Sequence, residues 1–222
     1  LHNPAKTNSR LLAVADIHGY KEELLDLLQK ASYNPLQDQL ILLGDYIDAD
    51  NPDTWGTLDT VRRLVAEGAA ALLGNQELRL LASTKSSKTL NASTKAWLRK
   101  LSLYFIQGPY LFVHAGIRPG VPLHKQNSAD LTEIRDEFIY TPLSEQDEAR
   151  PYTIIFGHTP TFKLDAPGTI WQGERRLAID TGAKHGYRLT LLDVSGKLSY
   201  SCSTSPGSRG GDFRIEPLAS SL

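Results

Sequence analysis

Apolar residues in this chain gather into short runs, and most of those runs end on a polar residue beside a glycine. The run within Arg10 to Ala15 stops at Asp16, and Gln39 to Leu43 stops at Gly44-Asp45. Ala69 to Leu73 stops at Gly74-Asn75. Continuous runs of this length, without alternation, are expected of strands buried on both faces. Between them the spacing changes to a helical period. Tyr20 to Lys30 places Leu24, Leu25, Leu27 and Leu28, with Ala31, on one broad face. Asp53 or Thr54 is a candidate cap for a helix that turns Trp55, Leu58, Val61, Leu64 and Val65 inward and stops at Gly68. The first part thus predicts strand, helix, strand, helix, strand, with polar residues at each strand's carboxyl end. In α/β folds that edge is where ligands bind.

The middle is less regular. Lys85 to Ser93 is rich in Ser, Thr and Lys and predicts a surface loop. Ser93 to Leu101 predicts a helix with Trp97 and Leu98 inward. Leu103 to Ile106 and Tyr110 to His114 are expected to pair across the Gln107-Gly108-Pro109 turn. Val121 to Ala129 is expected as loop, Leu131 to Ile139 as one short helical stretch, and Thr141 to Arg150 as exposed chain. From Pro151 strands dominate: Tyr152 to Phe156, Thr169 to Gln172, Arg176 to Ile179, Arg188 to Val194 and Lys197 to Cys202, the last two joined by a Ser195-Gly196 turn. The division expected is a flexible lead-in over 1–9, one domain over 10–202 and a mobile tail over 203–222. The strand-rich second half favours two stacked sheets flanked by helices over a single sheet.

Composition narrows the function. The 222 residues suffice for one large α/β domain with a sizeable core. Lys and Arg number 24 against 25 Asp and Glu, a net charge of -1. That balance argues against a nucleic-acid polymer or a charged membrane surface as partner. The single cysteine, Cys202, forms no internal disulfide and makes a reducing cytoplasm the default location. No apolar run approaches the length of a membrane span.

The segments that end the apolar runs carry the candidate chemistry. They are Asp16-Ile17-His18-Gly19, Gly44-Asp45-Tyr46-Ile47-Asp48, Gly74-Asn75-Gln76-Glu77, Val113-His114-Ala115-Gly116, Ile134-Arg135-Asp136-Glu137-Phe138 and Gly157-His158-Thr159-Pro160. Asp16, His18, Asp45, Asn75, His114 and His158 supply carboxylate, imidazole and amide donors without a thiolate. Residues two apart in a strand share a face, so Asp16 and His18 suit a single cation. A carboxylate has lone pairs enough for Asp45 to bridge two cations. A strand-terminal Asp before glycine is often only a turn or cap, and a buried histidine is often a satisfied core residue. The agreement of all these segments in order and position outweighs that reading. His2, His124 and His185 lack such a context and are expected at the surface or outside the ligand set, and Arg62-Arg63 on a solvated helix face.

The series resembles the PPP family of metallophosphoesterases, whose signatures read GDxHG, GDxxDRG, GNHE, HGG or HAG, and GHT. The resemblance covers about Arg10 to Val194. Arg118-Pro119, Ile134 to Phe138 and Ile179-Asp180-Thr181-Gly182-Ala183 are similar to the bacterial branch of small protein phosphatases and symmetrical diadenosine tetraphosphatases. It implies a four-layer αββα sandwich, calcineurin-like, and two divalent cations, with Mn2+ favoured over Fe or Zn. Asp16, His18, Asp45 and His158 would bear on the first cation, and Asp45, Asn75 and His114 would complete the second, with the cation that His158 itself touches left open. Arg135 and Arg118 would be substrate-binding cations, with Asn75 beside them, and Asp48, Gln76 and Arg135 would be the catalytic set.

The departures from the family matter most. Ala15 replaces a glycine, Ala49 stands where an arginine would bind phosphate, and Gln76 stands where a histidine would protonate the leaving group. Glutamine gives up no proton at neutral pH, and loss of a general acid costs about 10²–10⁴ in rate. Serine alkoxides need that proton, whereas phosphoanhydrides and phenolates leave without it. The expectation is a two-metal phosphoester hydrolase acting on a phosphorylated protein or a nucleotide. Good leaving groups are favoured: phosphotyrosine, aryl phosphates or dinucleoside polyphosphates. The alternative is an impaired relative that binds phosphorylated ligands without turnover.

Overall fold

The structure, a computed structural model, describes residues 10–83 and 90–219. The expected lead-in over 1–9 and most of the expected loop at 85–93 lie outside the described residues. Strand β1 (Leu11–Val14) is buried throughout and lies parallel to β2 (Gln39–Leu42), which lies parallel to the short β3 (Ala70–Ala71). On the other side β1 pairs antiparallel with β9 (Arg188–Asp193). β9 pairs with β10 (Leu198–Ser203), and β10 with β11 (Arg214–Pro217), both antiparallel. The second sheet runs β4 (Tyr104–Gln107), β5 (Tyr110–Val113), β6 (Thr153–Phe156), β8 (Arg176–Ala178), β7 (Trp171–Gly173).

Side-chain alternation along β1 explains the layers. Leu11, Ala13 and Ala15 turn to one face, where Ile41 and Leu43 join Phe112, Ile155, Leu177 and Ile179 of the second sheet in one core. Leu12 and Val14 turn to the other, against Leu24, Leu27 and Leu28 of α1 (Lys21–Lys30) and Leu58, Val61 and Leu64 of α2 (Thr57–Ala66). Leu80 of α3 (Asn75–Ala82) and Leu98 of α4 (Ala92–Leu98) extend that layer. Across the molecule, Leu111, Val113 and Phe156 pack on Leu131 of α5 (Ser128–Glu133) and Phe138 of α6 (Asp136–Ile139). The order is helix, sheet, sheet, helix, the architecture expected.

Several local readings are corrected. Asp53 and Thr54 do not cap α2; they sit in a 3-10 turn, Pro52–Thr54, capped by the Asn51 side chain. The stretch from Leu131 to Ile139 is two helices, because Arg135 leaves helical geometry at φ −134, ψ −107. The segment after Ser203 is not a bare tail. β11 adds to the sheet edge, Phe213 packs against the core beside α1, and the buried Arg188 fixes Asp212 through Nη1 at 2.7 Å.

Candidate active site

The carboxyl ends of β1, β2, β3, β5 and β6 converge at one edge shared by both sheets, and each carries a predicted donor. Beyond β1 and β2 the pairing continues into the loops: Asp16 N–H donates to the Gly44 carbonyl at 3.1 Å and His18 N–H to the Asp45 carbonyl at 3.0 Å. The second sheet is joined there too, since His158 N–H donates to Asp16 Oδ2 at 2.9 Å. Asp16, His18, Asp45 and His158 all take positive φ, at 53, 45, 52 and 63 degrees. For residues other than glycine such a backbone costs about 1–3 kcal/mol each and is found where function requires it. Here the strained turns aim all four side chains into one cleft.

Glycines permit the approach. A Cβ on Gly157 would lie 2.0 Å from Asp16 Oδ2, and one on Gly74 2.2 Å from Asp45 Oδ1. Glu77, fully buried, accepts from Asp45 N–H and Tyr46 N–H at 2.9 Å each and from Gly74 N–H at 3.0 Å. It therefore fastens the start of α3 to the Asp45 turn.

Two groups of donors result, and Asp45 belongs to both: Asp16, His18 and Asp45, then Asp45, His114 and His158, with ligand atoms inside each group within 4.8 Å of one another. His18 Nε2 lies 3.8 Å from Asp16 Oδ1 and 3.8 Å from Asp45 Oδ2, and His114 Nε2 lies 3.4 Å from Asp45 Oδ1. Asn75 Oδ1 is 3.1 Å from both His114 Nε2 and His158 Nδ1. The sequence left open which cation the His158 side chain would meet. The His158 ring stands with His114 and Asn75, while only its backbone reaches Asp16.

An amide oxygen facing two imidazole nitrogens is satisfied in either of two ways. The amide can turn to donate from its nitrogen, or a cation can sit among the three lone pairs. Both use the same inward lone pairs; the turned amide also accepts from Gln76 Nε2 at 3.2 Å, and a cation would call the oxygen back to the two rings. His114 Nδ1 is paired with the Leu43 carbonyl at 2.9 Å and His18 Nδ1 with Asp48 Oδ1 at 2.9 Å. Whenever the ring is neutral, those outer partners set the tautomer that leaves the Nε2 lone pair inward, as in known metal sites. Electrostatics is what favours a cation. Burial, then the charges of Asp16 and Glu77, push the Asp45 carboxyl well above the usual range. Burial and then Asp16 push Asp180, in the cleft wall, up to about 8. Burial, then His114 and Arg135, press His158 down to about 3. Clustered buried carboxylates beside neutral imidazoles suit divalent cations, and oxygen and nitrogen donors without thiolate fit Mn, Fe or Zn.

Of the other predicted residues, Arg135 lines the cleft, with Nη1 donating to the His158 carbonyl at 3.0 Å and to Thr159 Oγ1 at 3.2 Å. Gln76 also lines it. Its Oε1 accepts from Ala49 N–H at 3.1 Å, which turns Nε2 toward Asn75. Arg118 is corrected: its guanidinium is tied to Asp130 and Glu137, and it is not among the residues lining the cleft. Asp48 sits at the edge of the donor group. Its carboxylate engages His18 and Lys184, and although burial opposes it, those two partners bring it down to about 2. His124 is exposed, and His2 lies outside the described residues.

Sequence reasoning did not place Lys163 or Lys184 in the site, quoted Asp180 only within a family-like segment, and set His185 apart; all four line the cleft. Only Asp180 had a sequence signal, at the end of the apolar run Leu177 to Ile179. The lysines sit in turns with no periodicity to mark them.

Two-sheet sandwiches with a shared edge of carboxylates, imidazoles and an amide define a class of two-cation phosphoester hydrolases. The chain belongs to the calcineurin-like phosphoesterase family, which it matches over residues 9–192. It is 34% identical over 202 residues to a symmetrical bis(5'-nucleosyl)-tetraphosphatase of Janthinobacterium sp., covering 85% of this chain and 69% of that one. A relative of the same name from Methylococcus capsulatus is 29% identical over 89% of this chain and 71% of its own length. The alignment to one from Aromatoleum aromaticum, at 34% identity, spans 50% of this chain and 45% of that protein. Among solved structures, one described as a candidate diadenosine tetraphosphatase shares the fold at a TM-score of 0.74 and 23% identity, over 91% of this chain and 96% of that one. A protein-tyrosine phosphatase of a psychrophilic Shewanella shares it at 0.60 and 17%, over 95% and 80%. Among the described residues no helix is long and apolar enough to cross a membrane.

Proposed function

We propose that this chain cleaves phosphoanhydrides with two Mn2+ ions, and that dinucleoside polyphosphates are its substrate class. The observation that carries the reading is the pair of donor groups sharing Asp45, set in a cleft of about 250 Å³ that Arg135, Lys163 and Lys184 also line. When bound, two divalent cations supply activation of a water and neutralisation of a phosphoryl group. The protein's own residues do the rest. Asp16 and His18 with Asp45 form one cation group. Asp45 with Asn75, His114 and His158 forms the other. Arg135, held by the His158 carbonyl, presents its remaining donors to phosphate oxygens. Gln76, in place of a proton donor, can only hydrogen-bond, so the leaving group must depart as a stable anion. A nucleotide phosphate does so and a serine alkoxide does not. Relatives named for tetraphosphate cleavage agree with that chemistry. The complete, tightly packed donor set favours turnover over ligand binding alone. A single buried cysteine suits a cytoplasmic location.

The test is turnover with Mn2+ on diadenosine tetraphosphate, phosphotyrosine peptide and phosphoserine peptide. The tetraphosphate is expected to lead, and phosphoserine to lag it by about 10²-fold or more. In the same assay Asp45→Asn is expected to abolish turnover and to lower bound Mn2+ per chain, because one side chain serves both donor groups. Turnover of phosphoserine equal to that of the tetraphosphate would refute the reading.

A further inference from the structure

Next to the cleft lies a second cavity of about 290 Å³, lined by His18, Tyr20, Asp48, Thr54 and Arg209 among others. Lys184 lines both cavities, as does His18. The Lys184 ammonium is paired with Asp48 Oδ1, and the same oxygen takes His18 Nδ1 at 2.9 Å. One of the three ammonium donors is thus spent on Asp48, which pins the group to the partition between the cavities. The side chain is still 43% exposed, so the remaining donors can meet an anion.

The other cation of the second cavity is differently placed. Arg209 is held by both Glu22 and Glu23 and lies 5.0 Å from the Tyr20 ring. Its charge is matched twice over. No cation comes from position 49, which is alanine. Lys184 is therefore the charge that an anion passing from one cavity to the other would meet.

We infer that Lys184 binds the phosphate next to the scissile one, and that the second cavity receives the rest of the leaving group. This rests on the hydrolase reading above and adds a specificity determinant to it. A single phosphate ester fills the first cleft only. A polyphosphate reaches Lys184 and continues past it.

The measurement is the ratio of kcat/KM on diadenosine tetraphosphate to kcat/KM on p-nitrophenyl phosphate, with Mn2+, for the full chain and for Lys184→Met and Lys184→Arg. The ratio should fall about tenfold or more in Lys184→Met, the scale of a lost charged hydrogen bond. It should return toward the starting value in Lys184→Arg. A lysine that only buttresses Asp48 would lower both rates together, and an unchanged ratio overturns the proposal. Calorimetric titration with ADP and with orthophosphate gives a second reading that needs no turnover. ADP should bind more weakly to Lys184→Met by a similar factor, with a smaller change for orthophosphate, and equal losses on the two ligands would also overturn it. If the unaltered chain hydrolysed neither substrate, the hydrolase reading would fail, and the titration would still decide the role of Lys184.

Discussion

At the scale of single residues, the site is a problem of close approach. Gly157 has no chemistry of its own, yet a methyl group there would occupy the position of the Asp16 carboxylate, 2.0 Å away, and press on Ala15 Cβ at 2.7 Å. Gly157→Ala is therefore expected to displace Asp16 or part the two sheets at their common edge. The expected result is Mn2+ affinity reduced by about 10-fold or more, with Asp16 turned away in a crystal structure. Unchanged metal binding, measured by calorimetry, would show that the edge can open without cost. The donors themselves were legible because each stands at the end of an apolar run or within a few positions of it. Lys184 was not, because its partner Asp48 is 136 positions away along the chain and the pairing exists only once both sheets have formed.

At the scale of elements, runs of apolar residues located the strands well, since burial on both faces leaves no alternative pattern. Boundaries followed less faithfully. The stretch expected as one helix over Leu131 to Ile139 breaks because Arg135 must reach the His158 carbonyl, a demand from the second sheet that local propensity does not register. β11 was missed for the same kind of reason: an edge strand with exposed residues shows little apolar signal, and it forms on the template that β10 provides. The junction of β2 and α3 depends on Glu77, whose two oxygens satisfy three backbone N–H groups in a buried setting. Glu77→Gln keeps the shape but places an amide N–H₂ against at least one of those donors. One buried polar clash or orphan costs about 1–3 kcal/mol. For a chain of this size that should lower Tm by about 2–12 °C in calorimetry. A Tm unchanged in Glu77→Gln would mean that those N–H groups have other partners.

At the scale of the whole molecule, the two sheets are joined at one end by charge that their own hydrogen bonds do not balance. Asp16, Asp45, Glu77 and Asp180 are all buried at or near that edge. Cation binding should therefore act as a clamp between sheets. At a concentration about 100-fold above Kd it adds about 2.7 kcal/mol, or about 5–11 °C in Tm. Its pH dependence follows from the titrating groups. Asp180 is raised from 3.8 to about 8, so without cations its stabilising contribution is complete below about pH 4 and is lost as pH rises toward 8. His18 is raised well above 6.5: burial opposes the shift, but bonds to Asp16 and Asp48 outweigh it, and its contribution is likewise lost with rising pH. His158 has the opposite sign. Burial holds it at about 3 against an ordinary 6.5, so its contribution is present above 6.5 and lost as pH falls. Below 6.5 the histidine and the carboxyl oppose one another; between 6.5 and 8 only the loss remains. The Tm of the chelator-treated protein should accordingly fall across pH 6.5 to 8. With saturating Mn2+ the fall should vanish or reverse, because cations bind the deprotonated carboxylates and imidazoles and displace their protons. Scanning calorimetry across that window, with chelator and with Mn2+, decides it, and parallel Tm curves would refute the clamp.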